Sequence, residues 1–338
     1  MSGFLGQQSR YIRNTWLISA ENKITFYDNS SVRYFDSAEA KTLSEIVRKR
    51  NVFARHSYEN NFYLKRINEL ANHTIIEVFR YGDPQSIRED AEEAANLVEK
   101  LILFCAVLEF RKALLLKKLG IHLKHRNELD IILGSKIQYI SSRFKGTIAF
   151  TGINISQRLK NRFEKCRFSQ LYEYCQFRSD LTKRLTSSMD WLFESKLEPL
   201  ESASFIKTSI ALETFLIFAD SEPLGRSLSE RVAFILSSDP VVRQKLSEII
   251  IRFYKTRSDI VHGNRREPPD ELLSESVERL LVLIYLTMSQ NKNLWPSVAV
   301  LRKWFETQRW GSPSSDVIRS FPEHYLNDAI GICTSSEH

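Results

Sequence analysis

The feature that most constrains this fold is a shortage of helix-breaking residues. The 338 residues include 11 glycines and 9 prolines, roughly 3% each, against about 7% and 5% in average proteins. Because both residues interrupt helices, their scarcity favours long helical segments. It also excludes collagen-like chains and Pro-rich or Gly/Ser-rich disordered chains. With 43% hydrophobic and 26% charged residues, the chain can bury a sizeable core.

The length predicts two domains, the first an α+β domain over residues 1–156 with a possible sensor or regulatory role. Alternating apolar residues predict two hairpins and two further strands, and Asp83-Pro84 predicts the start of a long helix. The predicted hairpin strands are Thr15–Ala20 with Lys23–Tyr27, and Lys136–Ser142 with Thr147–Ser156 around Lys145-Gly146. The other strands are Asn61–Ile67 and His73–Tyr81, and the helix is Gln85–Leu119.

The second predicted domain is an all-α bundle over residues 157–310, followed by a loosely attached tail over 311–338. Asp239-Pro240 provides a cap and a first-turn proline for one of its helices, and Gly263 provides a stop. The predicted helices are Ser169–Lys196, Leu200–Phe218, Ser227–Ser237, Pro240–His262, Asp270–Ser289 and Ser297–Trp310.

Charge and cysteine usage indicate the compartment and the kind of partner. The formal net charge of +7 favours a polyanionic partner such as nucleic acid. Four cysteines without a C-x-x-C pair favour reduced thiols. The N-terminus lacks a signal-peptide pattern, and the apolar windows Leu101–Leu108 and Leu280–Met288 are too short to span a bilayer. We expect a soluble, cytoplasmic protein that does not associate with membranes.

The segment Phe253–Gly263 carries the candidate chemistry. Arg257 lies within an apolar helical stripe, where an arginine is costly unless it is paired. His262 follows five residues later, rotated by about 140° on an ideal helix. The two side chains can converge only if the helix unwinds at Gly263, or if they meet across a subunit interface. The structural alternative is a salt-bridged arginine inside a bundle and a histidine at a helix end.

An arginine and a histidine can together cleave RNA. An imidazole exchanges protons near neutral pH, and a guanidinium holds a phosphate and stabilises developing charge. This pair can support attack of a ribose 2′-OH on the adjacent phosphate without a metal or another cofactor. Three other Arg–His pairs have a similar spacing, and Arg50 with His56 is the one serious rival. His122 and His125 favour a surface loop over a metal site, because no cysteine or dense acidic cluster lies nearby.

Three short motifs together resemble a known family. They are Ala211-Leu212-Glu213, Leu228-Ser229-Glu230-Arg231-Val232-Ala233 and Tyr254-Lys255-Thr256-Arg257-Ser258-Asp259-Ile260-Val261-His262-Gly263. Their order and spacing resemble the Apea-like branch of the HEPN superfamily over most of the C-terminal half. The resemblance implies a HEPN-type helical bundle that forms a homodimer and cleaves RNA without metal, as in bacterial toxin, phage-defence and RNA-processing systems. An antitoxin or a phage-derived trigger would then be a possible partner.

The resemblance also implies roles for individual residues. Arg257 would hold the scissile phosphate and His262 would act as general base or acid. Ser258 or Asp259 would help to position them, although many relatives have Asn, Asp or His where this chain has Ser258. Glu213 would orient Arg257 from a neighbouring helix, and a purely structural salt bridge is the alternative. Arg231, in the second motif, is predicted to bridge helices.

Basic residues outside the motif are candidates for binding the RNA backbone. Arg265 and Arg266 follow the candidate site directly, so phosphate binding and a solvated loop are both open. A second basic run, with phenylalanines between its cations, could hold phosphates and stack bases, or could form a solvated helix face. This run consists of Arg158, Lys160, Arg162, Lys165 and Arg167 with Phe163 and Phe168.

Three functions follow from these observations. The first is a dimeric HEPN ribonuclease that acts as a toxin or defence effector. The second is a non-catalytic HEPN module that binds RNA or a nucleotide, or that serves as a protein-interaction scaffold. The third is a sensor in which the N-terminal half recognises a trigger and holds the helical half inactive.

Overall fold

The fold is that of a computed structural model, which describes residues 8–14, 18–20, 22–26, 28, 30–49, 67, 73–81, 84–109, 123–133, 137–149, 153–198, 200–219, 223–263, 269–310, 317–319 and 321–334. The described residues divide into two compact units. The first lies within 1–103 and 118–162, and the second within 104–117 and 163–338. An α+β unit and a helical unit are thus both present.

The first unit combines a six-stranded antiparallel sheet and a two-stranded parallel sheet with helices. The strands are β1 (Gln8–Asn14), β2 (Ile18–Ala20), β3 (Ile24–Thr25), β4 (Ser31–Phe35), β5 (His73–Tyr81), β6 (Leu123–Leu133), β7 (Ile137–Ala149) and β8 (Ile153–Ile155). Helix α1 is Ser37–Lys49, and α2, which continues into the second unit, is Pro84–Glu109. Six strands form one sheet in the order β3-β4-β5-β1-β6-β7, while β2 pairs in parallel with β8.

Two elements of the first unit match their predictions. Strand β5 covers His73–Tyr81, as the alternation predicts. Helix α2 begins at Pro84, the predicted first-turn proline, because a proline at this position loses no helical hydrogen bond. The predicted extension of α2 to Leu119 and the strand residues 61–66 lie outside the described residues.

Both predicted hairpins are wrong. Strand β2 pairs with β8, whereas β3 pairs with β4. Lys145-Gly146 lies inside β7, which pairs along its length with β6. The register passes from His125↔Thr147 to Asn127↔Phe144, so Lys145-Gly146 oppose one residue in a β-bulge, where glycine is well tolerated. His125 therefore lies in a strand, and its predicted loop position is wrong; His122 lies outside the described residues.

The second unit is a bundle around one buried helix. Its helices are α3 (Gln157–Lys165), which begins in the first unit, α4 (Phe168–Cys175), α5 (Asp180–Leu197), α6 (Glu201–Leu216), α7 (Leu224–Leu236), α8 (Pro240–Val261), α9 (Glu271–Gln290), α10 (Val298–Trp310) and α11 (Glu323–Thr334). Every residue of α9 from Ser276 to Gln290 is buried. A helix enclosed on all sides is the centre of its bundle.

The centre of the bundle also holds polar groups, and several of them are paired. Arg279, only 1% exposed, binds Glu275 at 3.0 Å and donates to the carbonyl of Leu108. The hydroxyls of Ser188 and Tyr285 lie 2.7 Å apart. Such pairing stabilises the core, because an unpaired polar group in a dry core costs about 1–3 kcal/mol.

Two predictions for the helical unit are wrong. The segment Ser169–Lys196 is not one helix, because Ser179 caps α5 with a reciprocal pair of hydrogen bonds to Thr182. The residues 311–338 are not merely a loose tail, since α11 buries Tyr325 and Ala329 and accepts a hydrogen bond from Ser276 at the Ala329 carbonyl. Among the described helices, none has both the length and the apolarity needed to cross a membrane.

Candidate active site

Helix α8 carries the candidate catalytic residues near its C-terminal end. The Asp239 carboxylate caps its start by accepting from the Val241 amide at 2.7 Å, and Pro240 is the first helical residue. Gly263 ends it with a φ of 70°, in the left-handed region that glycine adopts most readily. Both predicted boundary signals of this helix are confirmed.

Arg257 continues the buried side of α8. Leu246, Ile250 and Phe253 are fully buried along this side, and Phe253 stacks on Phe205 with ring centroids 4.2 Å apart. Arg257 lies one turn beyond Phe253, with 24% of its side chain exposed. The predicted placement of Arg257 within the apolar stripe is therefore confirmed, and its guanidinium is half-buried rather than free in solvent.

Glu213 on α6 is the acidic partner of Arg257. The Arg257 Nε and the Glu213 Oε1 lie 3.5 Å apart, too far for a strong hydrogen bond. Both atoms are buried, and neither has a hydrogen-bond partner among the described residues. The structure thus brings together the two side chains that the sequence pairs, while the orienting role of Glu213 stays a prediction.

The environment of Glu213 disfavours its charged form. Burial raises the pKa of Glu213, and the nearby Arg257 charge only partly opposes this effect. A loose ion pair in a half-buried place leaves the guanidinium able to exchange this carboxylate for another anion. A phosphate oxygen is such an anion, and guanidinium groups bind it with short, charge-assisted hydrogen bonds.

Tyr254 is a member of the site that the sequence reading missed. The Arg257 Cζ lies 5.6 Å from the centre of its ring, within cation–π distance. A Cβ at Gly225 would lie 3.3 Å from the Tyr254 Cδ1, so Gly225 on α7 allows the ring to sit close. Burial and the Glu213 charge raise the pKa of Tyr254, with Arg257 opposing. The three-residue spacing from Arg257 is the signal that could have identified it.

His262 lies at the exposed end of the same helix. Its amide donates to the Ser258 carbonyl at 3.0 Å, and the Gly263 amide donates to the Ile260 carbonyl at 3.2 Å. These bonds complete the last turn and leave the His262 side chain exposed. Within the described residues, no hydrogen bond joins His262 to Arg257, so their convergence stays a prediction.

The remaining motif residues fall into two groups. Ser258 and Asp259 are half-buried on the last turn of α8, between Arg257 and His262 in sequence. Arg265 and Arg266 lie outside the described residues. Their supporting and phosphate-binding roles stay predictions.

The basic run of α3 matches its prediction only in part. Arg158 is exposed, and Lys160 and Arg162 are half-buried, so a phosphate-binding role for these three stays a prediction. Phe163 and Phe168 are at most 1% exposed and stack on each other at 5.2 Å. Base stacking on these rings, one of the two alternatives left open by the sequence, is contradicted because both rings lie within the core.

Arg231 has the structural role that the sequence predicts. Its guanidinium donates to the Leu216 carbonyl at the end of α6 and lies 4.5 Å from the Phe218 ring centre. It therefore ties the C-terminus of α6 to α7. A cation near the last carbonyls of a helix also stabilises the helix dipole.

The site geometry and the fold define a class of protein only broadly, as an α+β unit joined to a helical unit with a half-buried Arg–Glu pair. No family model, no curated protein and no solved structure matches the chain. Among the residues that the structure describes, no group of three or more His, Cys, Asp and Glu side chains could hold a metal ion.

Proposed function

We propose that the helical unit is a HEPN-type RNA endonuclease that works without a metal ion. The observation that carries this proposal is that an arginine and a histidine lie five residues apart at the C-terminal end of α8. Arg257 is half-buried beside the Glu213 carboxylate, with 3.5 Å between the Nε and Oε1 atoms. His262 follows five residues later in an exposed position. The order of the three sequence motifs supports the same assignment.

The proposed reaction is an internal transfer within the RNA chain. His262 accepts the proton of a ribose 2′-OH as that oxygen attacks the adjacent phosphorus. The bond from phosphorus to the 5′-oxygen breaks, and the leaving oxygen takes a proton from a general acid. The products are a 2′,3′-cyclic phosphate end and a 5′-hydroxyl end. Arg257 binds the non-bridging oxygens and stabilises their growing negative charge.

In this proposal, neighbouring residues position Arg257 and His262 and bind the RNA backbone. Glu213 keeps the Arg257 guanidinium on the side of α8 that faces α6, and Tyr254 covers it from one side. Ser258 or Asp259 positions the imidazole. Arg265 and Arg266 bind RNA phosphates beside the scissile bond, and the Arg158 run is a separate candidate for binding the RNA backbone.

The proposed enzyme is a homodimer, because one imidazole cannot serve as both base and acid in the same step. His262, the C-cap of α8, follows Ile251 by eleven residues, which on an ideal helix is a rotation of about 20°, so we propose that both lie on the same exposed side. Ile251 is 52% exposed, and a second copy of this face would cover it and bring in a second imidazole. Light scattering on the protein as it elutes from a size-exclusion column should give twice the mass of one chain. The mass of a monomer would contradict the proposed dimer.

Cleavage in the presence of EDTA tests the proposal. We expect the purified full chain to cut total RNA or tRNA in EDTA and to leave 2′,3′-cyclic phosphate ends. Replacing Arg257 with alanine should reduce the rate by about 100-fold or more. RNA that binds but stays intact would favour the non-catalytic module instead.

A further inference from the structure

A charged cavity lies in the helical unit, between α7 and α10. Its volume is about 440 Å³, which is in the range of pockets that enclose small organic ligands. Inorganic phosphate alone would leave most of this space unfilled. The cavity is not formed by the candidate catalytic residues, and neither Arg257 nor His262 lines it.

The charge of this cavity is positive. Four guanidinium groups and two carboxylates line it, which gives a net charge of +2. The charged lining residues are Arg226, Arg231, Arg302, Arg309, Glu230 and Glu306. An excess of guanidinium groups in a concave site favours an anion, and phosphate accepts their paired N–H donors well.

Two of these arginines share one carboxylate. Glu230 accepts from the Arg226 Nε and from the Arg309 Nε, each at 2.9 Å. The paired guanidinium charges hold the pKa of Glu230 below its usual value, although burial acts in the opposite direction and is the largest single influence. Two cations facing one ionised carboxylate retain a surplus positive charge for a ligand.

Two of the lining arginines, Arg302 and Arg226, have side chains that can turn towards a ligand. Arg302 lies 3.7 Å from Glu306 and is 54% exposed, so this surface pair is weak. The Arg226 side chain is 76% exposed and uses only its Nε on Glu230 among the described residues. Their terminal N–H groups can therefore bind an anion without breaking a buried interaction.

The cavity also offers apolar surface beside the cations. Phe234, half-buried, and Phe305, 5% exposed, are both in its lining. The first turn of α7 reaches the cavity at Ser227, and its N-cap residue, Pro223, supplies no side-chain cap. The helix dipole at this N-terminus adds a favourable potential for a negative group.

We propose that this cavity binds a small organic phosphate, with the phosphate on Arg226 and Arg302 and a flat ring beside Phe234. The binding does not depend on the nuclease function, because it uses other residues. Adenosine 5′-monophosphate serves as the probe, with inorganic phosphate and adenosine as the two partial ligands. Calorimetry on the full chain should show the monophosphate binding more tightly than either partial ligand.

Charge variants test the placement of this ligand. Arg302→Gln and Arg226→Gln should each weaken binding of the monophosphate about tenfold, which corresponds to one lost charge-assisted hydrogen bond. Glu306→Gln should tighten it about twofold to fivefold, because a competing carboxylate is removed. Lys303→Gln is the matched control, since Lys303 is an exposed cation on the same helix outside the cavity lining.

The outcomes separate the proposal from its alternatives. A monophosphate affinity that is lowered by both arginine variants and unchanged by Lys303→Gln supports it. Equal affinity for inorganic phosphate would contradict the ring site, and equal affinity for adenosine would contradict the phosphate site. Absence of binding at millimolar monophosphate, or binding that neither arginine variant changes, would overturn the proposal.

Discussion

At the level of single residues, the geometry of the Glu213–Arg257 pair is the feature that bears most closely on the proposed chemistry. A well-made buried ion pair would have short hydrogen bonds, whereas this one spans 3.5 Å and leaves the Nε and Oε1 atoms without hydrogen bonds among the described residues. Burying charges with imperfect pairing costs free energy. Such a cost is expected at functional sites, where local stability is given up for reactivity.

The burial of Glu213 makes stability depend on pH. Its pKa is raised in the folded protein, so between the unfolded and folded pKa values the native state binds more protons. The free energy of unfolding therefore falls as pH rises through this interval. Glutamine cannot ionise, so Glu213→Gln should match the wild type below the ordinary value of 4.5 and exceed it in stability at pH 7.

Urea unfolding at pH 4, 5.5 and 7 measures this difference. Glu194→Gln, at a side chain 57% exposed, controls for the loss of one negative charge. A Glu213→Gln variant that is less stable than the wild type at pH 7 would show that the ion pair outweighs the burial of the carboxylate.

Some residues of the site follow from sequence and others do not. Arg257 is conspicuous because it interrupts an apolar stripe, and Glu213 follows from the motif order. Tyr254 looks like another apolar member of the same stripe, and only its contacts with Arg257 and Gly225 show its role. A residue whose type fits the core gives no sign in the sequence that it also contacts a charge.

At the scale of elements, the ends of α8 fix the site. Asp239-Pro240 and Gly263 are strong local signals, and they predict both ends of the helix closely. The break between α4 and α5 was missed because Ser179 and Thr182 end and restart the helices without glycine or proline. The wrong prediction of a hairpin within β7 has a related cause. The dipeptide Lys145-Gly146 is typical of a turn, but pairing with β6 places it in a bulge of one continuous strand.

Replacing Gly263 and Gly331 with alanine should change the free energy of unfolding in opposite directions. Gly263 has a φ of 70°, so Gly263→Ala should destabilise the protein by about 1 kcal/mol. Gly331 lies inside α11 with nothing near an added Cβ, so Gly331→Ala should stabilise by about 0.5–1 kcal/mol. Urea unfolding of both variants checks this, and equal shifts in the same direction would contradict the assigned backbone conformations.

At the scale of the whole molecule, the chain crosses between its two units more than once. The first unit includes residues within 118–162, and the second includes residues within 104–117. Composition and periodicity predict an α+β part followed by a helical part, because each pattern is local. They cannot show that the end of α2 belongs with the second unit, since this depends on contacts with α9, which is distant in sequence.

The contribution of α2 predicts how a fragment will behave. A fragment of residues 157–338 loses the Leu108 carbonyl bound by Arg279 and the Phe104 ring 5.9 Å from Tyr285. Loss of a buried aromatic contact and of a buried hydrogen bond should cost about 3 kcal/mol or more. Hydrogen exchange should therefore show weaker protection of α9 amides in the fragment than in the full chain. Equal protection would mean that α2 adds nothing to the bundle.

We propose that His262 performs proton transfer in RNA cleavage, and a comparison of cleavage rates between two histidine variants tests this role. The full chain is incubated with RNA in EDTA beside His262→Ala and His324→Ala, the latter at an exposed histidine of α11. We predict that His262→Ala lowers the cleavage rate by about 100-fold or more while His324→Ala leaves it unchanged. Equal cleavage by His262→Ala and the wild type would contradict the account.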